Sequence, residues 1–114
     1  MKFKTLLYIF IIVVFGKNVL ADEIKIESSK IKVLEEGNII NAINVEADIP
    51  AQKIEIEGDR SIYDKRNSKL TIIKNVKFLD KLKDIYIEGD KVIYYQSSDL
   101  VQTFGKTFIK VENK

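Results

Sequence analysis

The side chains best suited to catalysis are two aspartates in a repeated motif. Asp59 and Asp90 each end the sequence Ile-x-Ile-Glu-Gly-Asp, and a carboxylate can serve as a general acid or base. The chain of 114 residues has no histidine and no cysteine. These absences exclude Ser-His-Asp and Cys-His catalysis, disulfide bonds, and zinc sites built from cysteine and histidine. Any enzyme would have to work with carboxylates, lysine and tyrosine alone, and a carboxylate-based hydrolase using Asp59 and Asp90 is the enzyme hypothesis to weigh.

The spacing of the two aspartates argues against a shared active site. Residues 24–30, 54–60 and 85–91 align with each other, at intervals of 30 and 31 residues. A repeat places its members at equivalent positions, so the two carboxylates are expected in separate corners. Glycine tolerates the backbone angles of a bulge. We therefore predict structural corners at Gly58-Asp59 and Gly89-Asp90, and we predict no enzyme activity, no cofactor and no metal site.

The elements around these corners are predicted to be β-strands. Residues 22–114 are rich in isoleucine, with valine and tyrosine beside it, and apolar residues alternate with polar ones. Three strand-turn-strand repeats of about 30 residues follow from the self-comparison, over residues 24–49, 54–78 and 85–111. In the first return strand, Ile43 and Val45 share one parity and are expected on one face. The repeats therefore predict an all-β, repeat-built antiparallel fold of about six strands, a pair of sheets around an apolar interior.

The first 21 residues differ in kind from this domain. Lys2 and Lys4 precede the unbroken apolar run of residues 6–15, and Val19-Leu20-Ala21 offers a cleavage site after Ala21. This pattern predicts a signal peptide over residues 1–21, in helical form, that is removed on export from the cytoplasm. The alternative is an uncleaved anchor, but the apolar run is shorter than the roughly 20 residues that span a bilayer.

Cleavage changes the charge of the protein. The whole chain has 19 basic and 17 acidic residues, a net charge of +2. Loss of Lys2, Lys4 and Lys17 leaves 16 basic and 17 acidic residues, a net charge of −1. This balance predicts no nucleic-acid partner and no patch for an anionic membrane.

The repeats resemble a known family. The sequence Ile-x-Ile-Glu-Gly-Asp-[Lys/Arg]-x-x-Tyr at residues 54–63 and 85–94, with Leu-Thr-Ile-x-x-Asn-Val-Lys-Phe at residues 70–78, is similar to the OstA-like (organic solvent tolerance) domain. That domain occurs in LptA, a periplasmic protein of lipopolysaccharide transport, and at the N-terminus of LptD. The sequence departs from the pattern at Ser28-Ser29, which replaces Gly-Asp, and at Gly105-Lys106, which replaces Asn-Val.

The resemblance implies that the chain is an antiparallel β-jellyroll and serves as a lipid-transport module in the periplasm. Members of the family hold the acyl chains of lipopolysaccharide inside a β-jellyroll and pair edge to edge, so the implied partners are lipopolysaccharide and other jellyroll proteins of the bridge, or further copies of this chain. The apolar side chains predicted to face the lipid are Ile24, Ile26, Ile31, Val33, Ile54, Ile56, Tyr63, Ile72, Val76, Phe78, Ile85, Ile87 and Tyr94.

A second function is compatible with the same fold. The chain could act as a structural or assembly adaptor, either a membrane-anchored partner similar to LptC or an isolated N-terminal domain of LptD. In that case the same apolar residues would form only the core of the domain, because a small domain needs nearly all such residues to fold.

Overall fold

A computed structural model describes residues 11–13 and 23–112 of the chain. These residues form eight strand segments, of which only the first lies before the predicted domain. The segments are β1 (Ile11–Val13), β2 (Ile24–Glu27), β3 (Lys30–Leu34), β4 (Ile39–Ile49), β5 (Ile54–Asp64), β6 (Lys69–Asp80), β7 (Ile85–Tyr95) and β8 (Leu100–Val111). The predicted all-β class is confirmed.

The strands form one antiparallel sheet in the order β1-β2-β4-β5-β6-β7-β8. β3 also pairs with β4, on the same edge as β2. β2 and β3 are thus two halves of one strand position, broken at Ser28-Ser29. Seven positions follow one another across the sheet, and β8 leaves its outer edge unpaired within the described residues.

The short strand β1 corrects one expectation. Residues 11–13 lie in the apolar run that predicts a signal-peptide helix, but they are extended and pair with β2. The outer edge of β2 offers unpaired backbone groups, and a run of β-branched residues favours the extended state. The helix prediction is wrong for these three residues. The rest of residues 1–21, including the predicted cleavage site at Ala21, lies outside the described residues.

A line of irregular backbone, which runs across the strands, folds the sheet in two. The pairing register shifts between Glu57 and Arg60, around the Gly58-Asp59 step, and again between Gly89 and Lys91. Asn44 in β4 and Lys74-Asn75 in β6 adopt positive φ angles on the same line. Every long strand therefore bends where it crosses this line, and each half of the strand belongs to a different wall of the roll.

We call these halves the first wall and the second wall. The first wall contains β2, the N-terminal halves of β5 and β7, and the C-terminal halves of β4, β6 and β8. The second wall contains β3 and the remaining halves. Turns at residues 50–53 and 81–84 form the rim of the first wall, and turns at residues 35–38, 65–68 and 96–99 form the rim of the second.

Side-chain hydrogen bonds join the strands of each hairpin repeat along the bend. Asn44 Nδ2 donates to Ser29 Oγ at 3.0 Å, and Asn75 Nδ2 donates to Asp59 Oδ2 at 3.0 Å. In the third repeat the backbone N–H of Lys106 donates to Asp90 Oδ2 at 3.2 Å. The aspartates thus accept hydrogen bonds from a neighbouring strand, a structural role that requires no catalysis.

The positive φ angle at Asn75 leads to a prediction. Asn75→Ala should be less stable than Asn75→Gly by about 1–2 kcal/mol, because a side chain with a Cβ is strained at φ 53°. Glycine already occupies a position of positive φ on the same line in β8, where Gly105 has φ 82°. Urea unfolding of both variants measures the difference.

Asn41 serves as the control for this pair. It lies in the extended part of β4, where glycine is the more costly replacement because it loses more conformational entropy than alanine. At position 41, the glycine variant should therefore be less stable than the alanine variant. The same order at both positions would contradict a role for the backbone angle of Asn75.

Candidate functional site

The candidate site is the interior of the roll, between the two walls. Of the thirteen residues predicted to face lipid, ten are buried there and belong to one apolar cluster. They are Ile24, Ile26, Ile54, Ile56, Tyr63, Ile72, Val76, Phe78, Ile87 and Tyr94. Ile31 and Ile85 are partly buried and pack against this cluster. The two walls together therefore enclose the predicted set almost completely.

Val33 differs from the rest of the set. It pairs with the buried residue Ile40 and so faces the interior side of the sheet, yet its side chain is 54% exposed. β3 is an edge segment with no strand beyond it in the described residues. The interior is therefore open to solvent at this end of the second wall.

The middle of the interior is filled by the protein's own side chains. Phe78 of the first wall and Tyr94 of the second are both fully buried, and their rings meet at a centroid distance of 5.8 Å and an angle of 52°. This tilted arrangement is favourable for aromatic pairs. The two walls contact each other directly here, so a lipid chain could enter only if they separate.

A polar network joins the two rims above this aromatic pair. The Tyr94 hydroxyl donates to Asp99 Oδ1 at 3.0 Å, and Lys83, from the opposite rim, contacts Asp99. This hydrogen bond to Asp99 is the main cause that raises the pKa of Lys83. Lys83 Nζ also lies 3.8 Å from the buried carboxylate of Asp80, which accepts backbone hydrogen bonds from residues 82 and 83. The network holds the rims together over the core.

Two polar side chains lie within the apolar interior. Ser61 is 1% exposed, and its hydroxyl has no hydrogen-bond partner in the part of the chain that the structure describes. Burial, together with the charge of Asp64, raises the pKa of the Tyr63 hydroxyl well above its usual range. A serine hydroxyl does not ionise near neutral pH, and the raised pKa keeps the Tyr63 hydroxyl protonated, so neither group places a charge in the apolar interior.

The interior opens at the β8 edge. Ile109 pairs with the buried Ile87, and Val111 pairs with Ile85, so both side chains face the interior side of the sheet. They are nevertheless 53% and 55% exposed, because no further strand covers them in the described residues. The apolar interior thus runs out to solvent beside an unpaired strand edge.

Ile109 and Val111 were not among the predicted site residues. Their parity along β8 does place them on the inner face, so the sequence carried the necessary signal. Their exposure depends on which strand lies at the edge of the sheet. That order is a tertiary property, which alternation along one strand does not reveal.

Two further observations concern metal-binding groups and helices. The residues described by the structure contain no group of three or more His, Cys, Asp or Glu side chains that could hold a metal ion. Among the same residues there is no helix with the length and apolar character needed to cross a bilayer.

Comparison with known proteins identifies the architecture. No family model matches the sequence, and no curated protein matches it either. Among solved structures, one similar chain is LptH from Pseudomonas aeruginosa, described as the LptA homologous periplasmic component of the conserved lipopolysaccharide transport device. It matches with a TM-score of 0.69 and 12% identity, over 82% of this chain and 80% of that chain. The fold is an LptA-like β-jellyroll.

The jellyroll confirms the predicted architecture, and it supports the resemblance to the OstA-like family through the fold. At 12% identity the similarity carries no residue-by-residue assignment. The features of the site are those of the jellyroll itself: an apolar interior, a polar network across the rims, and an open end at β8.

Proposed function

We propose that this protein is a periplasmic module that binds lipopolysaccharide and passes it toward the outer membrane, with the lipid acyl chains shielded inside the jellyroll. The observation that carries the proposal is the continuity of the interior with the open end. Buried Ile87 leads directly to exposed Ile109 on the neighbouring strand. An acyl chain laid on this surface would gain about 0.8 kcal/mol for each buried CH₂ group.

The open end also supports pairing with other jellyroll proteins, or with further copies of this chain. β8 is 12 residues long, and its outer edge is unpaired in the described residues. An unpaired edge is a template for another strand. Pairing there would extend the sheet and would carry the apolar interior from one jellyroll into the next, which is the geometry a lipid bridge needs.

Photo-crosslinking tests the lipid proposal. A photoreactive amino acid at position 109 or 111 should form adducts with lipopolysaccharide, because both side chains face the interior at its open end. The same amino acid at position 108 is a matched control, because Phe108 is 55% exposed on the same strand but faces outward. Adducts of equal yield at positions 108 and 109, or none at 109 and 111, would overturn the proposal.

The adaptor function remains the second candidate, and one observation favours it. The contact between Phe78 and Tyr94 fills the middle of the interior, as expected if these residues form only a core. An adaptor would still use the β8 edge to pair with a partner jellyroll. It would pair without forming lipid adducts at positions 109 and 111, so the crosslinking experiment separates the two functions.

A further inference from the structure

Charge is divided between the outward faces of the two walls. On the second wall, the pairing register aligns one residue from each strand in a row: Lys30, Ile43, Arg60, Ile73, Lys91 and Phe104. Cations alternate with apolar side chains along the whole row. Because strands lie about 4.8 Å apart, successive cations are about 10 Å apart.

The next two outward-facing rows of the second wall also combine cations with apolar side chains. They add Lys32 and Lys69 to the cations, Leu34, Ile62 and Leu100 to the exposed apolar side chains, and one carboxylate, Asp64. Asp64 accepts hydrogen bonds from Asn67. No ion pair joins Lys30, Lys32 or Arg60 to any residue described by the structure, so their charge is uncompensated.

The outward face of the first wall has the opposite charge. Its two rows carry three lysines and six carboxylates: Glu27, Glu46, Asp48, Glu55, Glu57 and Glu88. Phe108 is the exposed large apolar side chain of these rows. The net charge of −1 for residues 22–114 therefore conceals a basic, partly apolar face and an acidic, polar face on opposite sides of the roll.

We propose that the outward face of the second wall docks on an anionic bilayer surface. Such a surface offers phosphates to the cations and a headgroup–acyl boundary to the exposed side chains of Ile43, Ile62 and Phe104. The acidic first wall is repelled by the same surface and faces away. The jellyroll would then lie with its second wall against the bilayer and its β8 edge accessible.

The acidic wall of a second copy is the obvious competing occupant, and the apolar side chains argue against it. Among the side chains that the structure describes, that wall offers one large exposed apolar group, Phe108, in exchange for Ile43, Ile62 and Phe104. A stable protein interface needs an apolar centre on both partners. The bilayer satisfies both the charged and the apolar parts of the face.

Two triple variants of the full chain test the proposal. The first is Lys30→Gln/Lys32→Gln/Arg60→Gln on the second wall. The matched control is Lys25→Gln/Lys77→Gln/Lys110→Gln on the first wall, which removes the same net charge. Because residues 1–21 are present in both, any contribution of that segment to membrane binding is equal. Circular dichroism melting checks that both variants fold.

Binding is measured by flotation with vesicles of phosphatidylcholine containing one-third phosphatidylglycerol. The second-wall variant should bind about 100-fold more weakly than the parent chain, at roughly fivefold for each basic residue near the surface. The first-wall control should bind at least as well as the parent chain, because the wall it alters faces away from the bilayer. High salt should remove the difference.

The apolar contribution has its own pair of variants. Ile62→Thr should weaken binding to the same vesicles, whereas Phe108→Thr on the first wall should not. Equal losses in the two triple variants would overturn the proposal, as would unchanged binding of the second-wall variant. Self-association without vesicles that only the second-wall variant loses would assign the face to a second copy, and selective loss of binding to duplex DNA would assign it to nucleic acid.

Discussion

Gly58→Ala should lower the free energy of unfolding by about 1–3 kcal/mol, the usual cost of overpacking a filled core. A Cβ atom at residue 58 would lie 2.2 Å from Cγ2 of Ile72. Ile72 is 1% exposed, and its β-branched side chain has little rotamer freedom with which to move away. The strand would have to shift at the bend, where β5 and β6 are joined by the hydrogen bond from Asn75 to Asp59.

Gly89→Ala is the matched control, because Gly89 occupies the same place in the next repeat. The nearest atoms to its Cβ would be the Lys106 carbonyl oxygen at 3.5 Å and Thr107 Oγ1 at 3.6 Å, which are ordinary contacts. This variant should keep its stability or gain about 0.4–1 kcal/mol from a less flexible unfolded chain. Urea unfolding measures both variants.

A double variant locates the cause of the loss at Gly58. Leucine has no branch at Cβ, so Ile72→Leu removes Cγ2, the methyl group that would clash with the Cβ atom introduced by Gly58→Ala. The combined variant should lose less stability than the sum of the two single losses. Additive losses, or equal effects of Gly58→Ala and Gly89→Ala, would show that the close approach of Ile72 is not what requires glycine.

The repeats and the fold class could be predicted from the sequence because they depend on local alternation and turn chemistry. The Ile-x-Ile-Glu-Gly-Asp motif predicted a corner at each Gly-Asp step, and the register shifts at residues 57–60 and 89–91 lie at those positions. The different surroundings of Gly58 and Gly89 could not be predicted. They depend on which side chain of the neighbouring strand faces each glycine.

One parity prediction failed for a similar reason. Ile43 and Val45 were expected on one face, but Asn44 between them has φ 58°, so Val45 is buried and Ile43 is exposed on the outside. Asparagine tolerates this conformation better than most residues, and a single asparagine is too common to mark a bend by itself. The inner face of β4 before the bend consists of Ile40 and Ala42 instead.

The division of charge between the two walls could not be predicted from the amino-acid composition either. Net charge adds the two faces together, and the charged residues of each face are scattered over six strand positions. Only the pairing register brings Lys30, Arg60 and Lys91 into one row. The same holds for Lys83 and Asp99, which are 16 residues apart and meet because the rims of the two walls converge.

Phe78→Ala should have the largest effect on stability, a loss of about 3–5 kcal/mol in the free energy of unfolding. Phe78 is 1% exposed and fills the middle of the interior against the ring of Tyr94. Its removal leaves a cavity that the two walls cannot close without moving the rims. Ion pairs of Lys83 with Asp80 and Asp99 hold the rims in place. Phe108→Ala is the matched control, because Phe108 is an exposed phenylalanine on the outer face, and it should change stability by less than about 0.5 kcal/mol.

The Phe78 cavity also distinguishes the two proposed functions. If the walls separate to admit acyl chains, the cavity is a ready-made space for them, and added lipopolysaccharide should raise the melting temperature of Phe78→Ala more than that of the parent chain. In an adaptor, whose interior is only a core, the lipid should raise neither melting temperature. Equal increases in the Phe78→Ala and parent chains would place the lipid elsewhere on the surface, because a ligand that does not reach the cavity gains nothing from it.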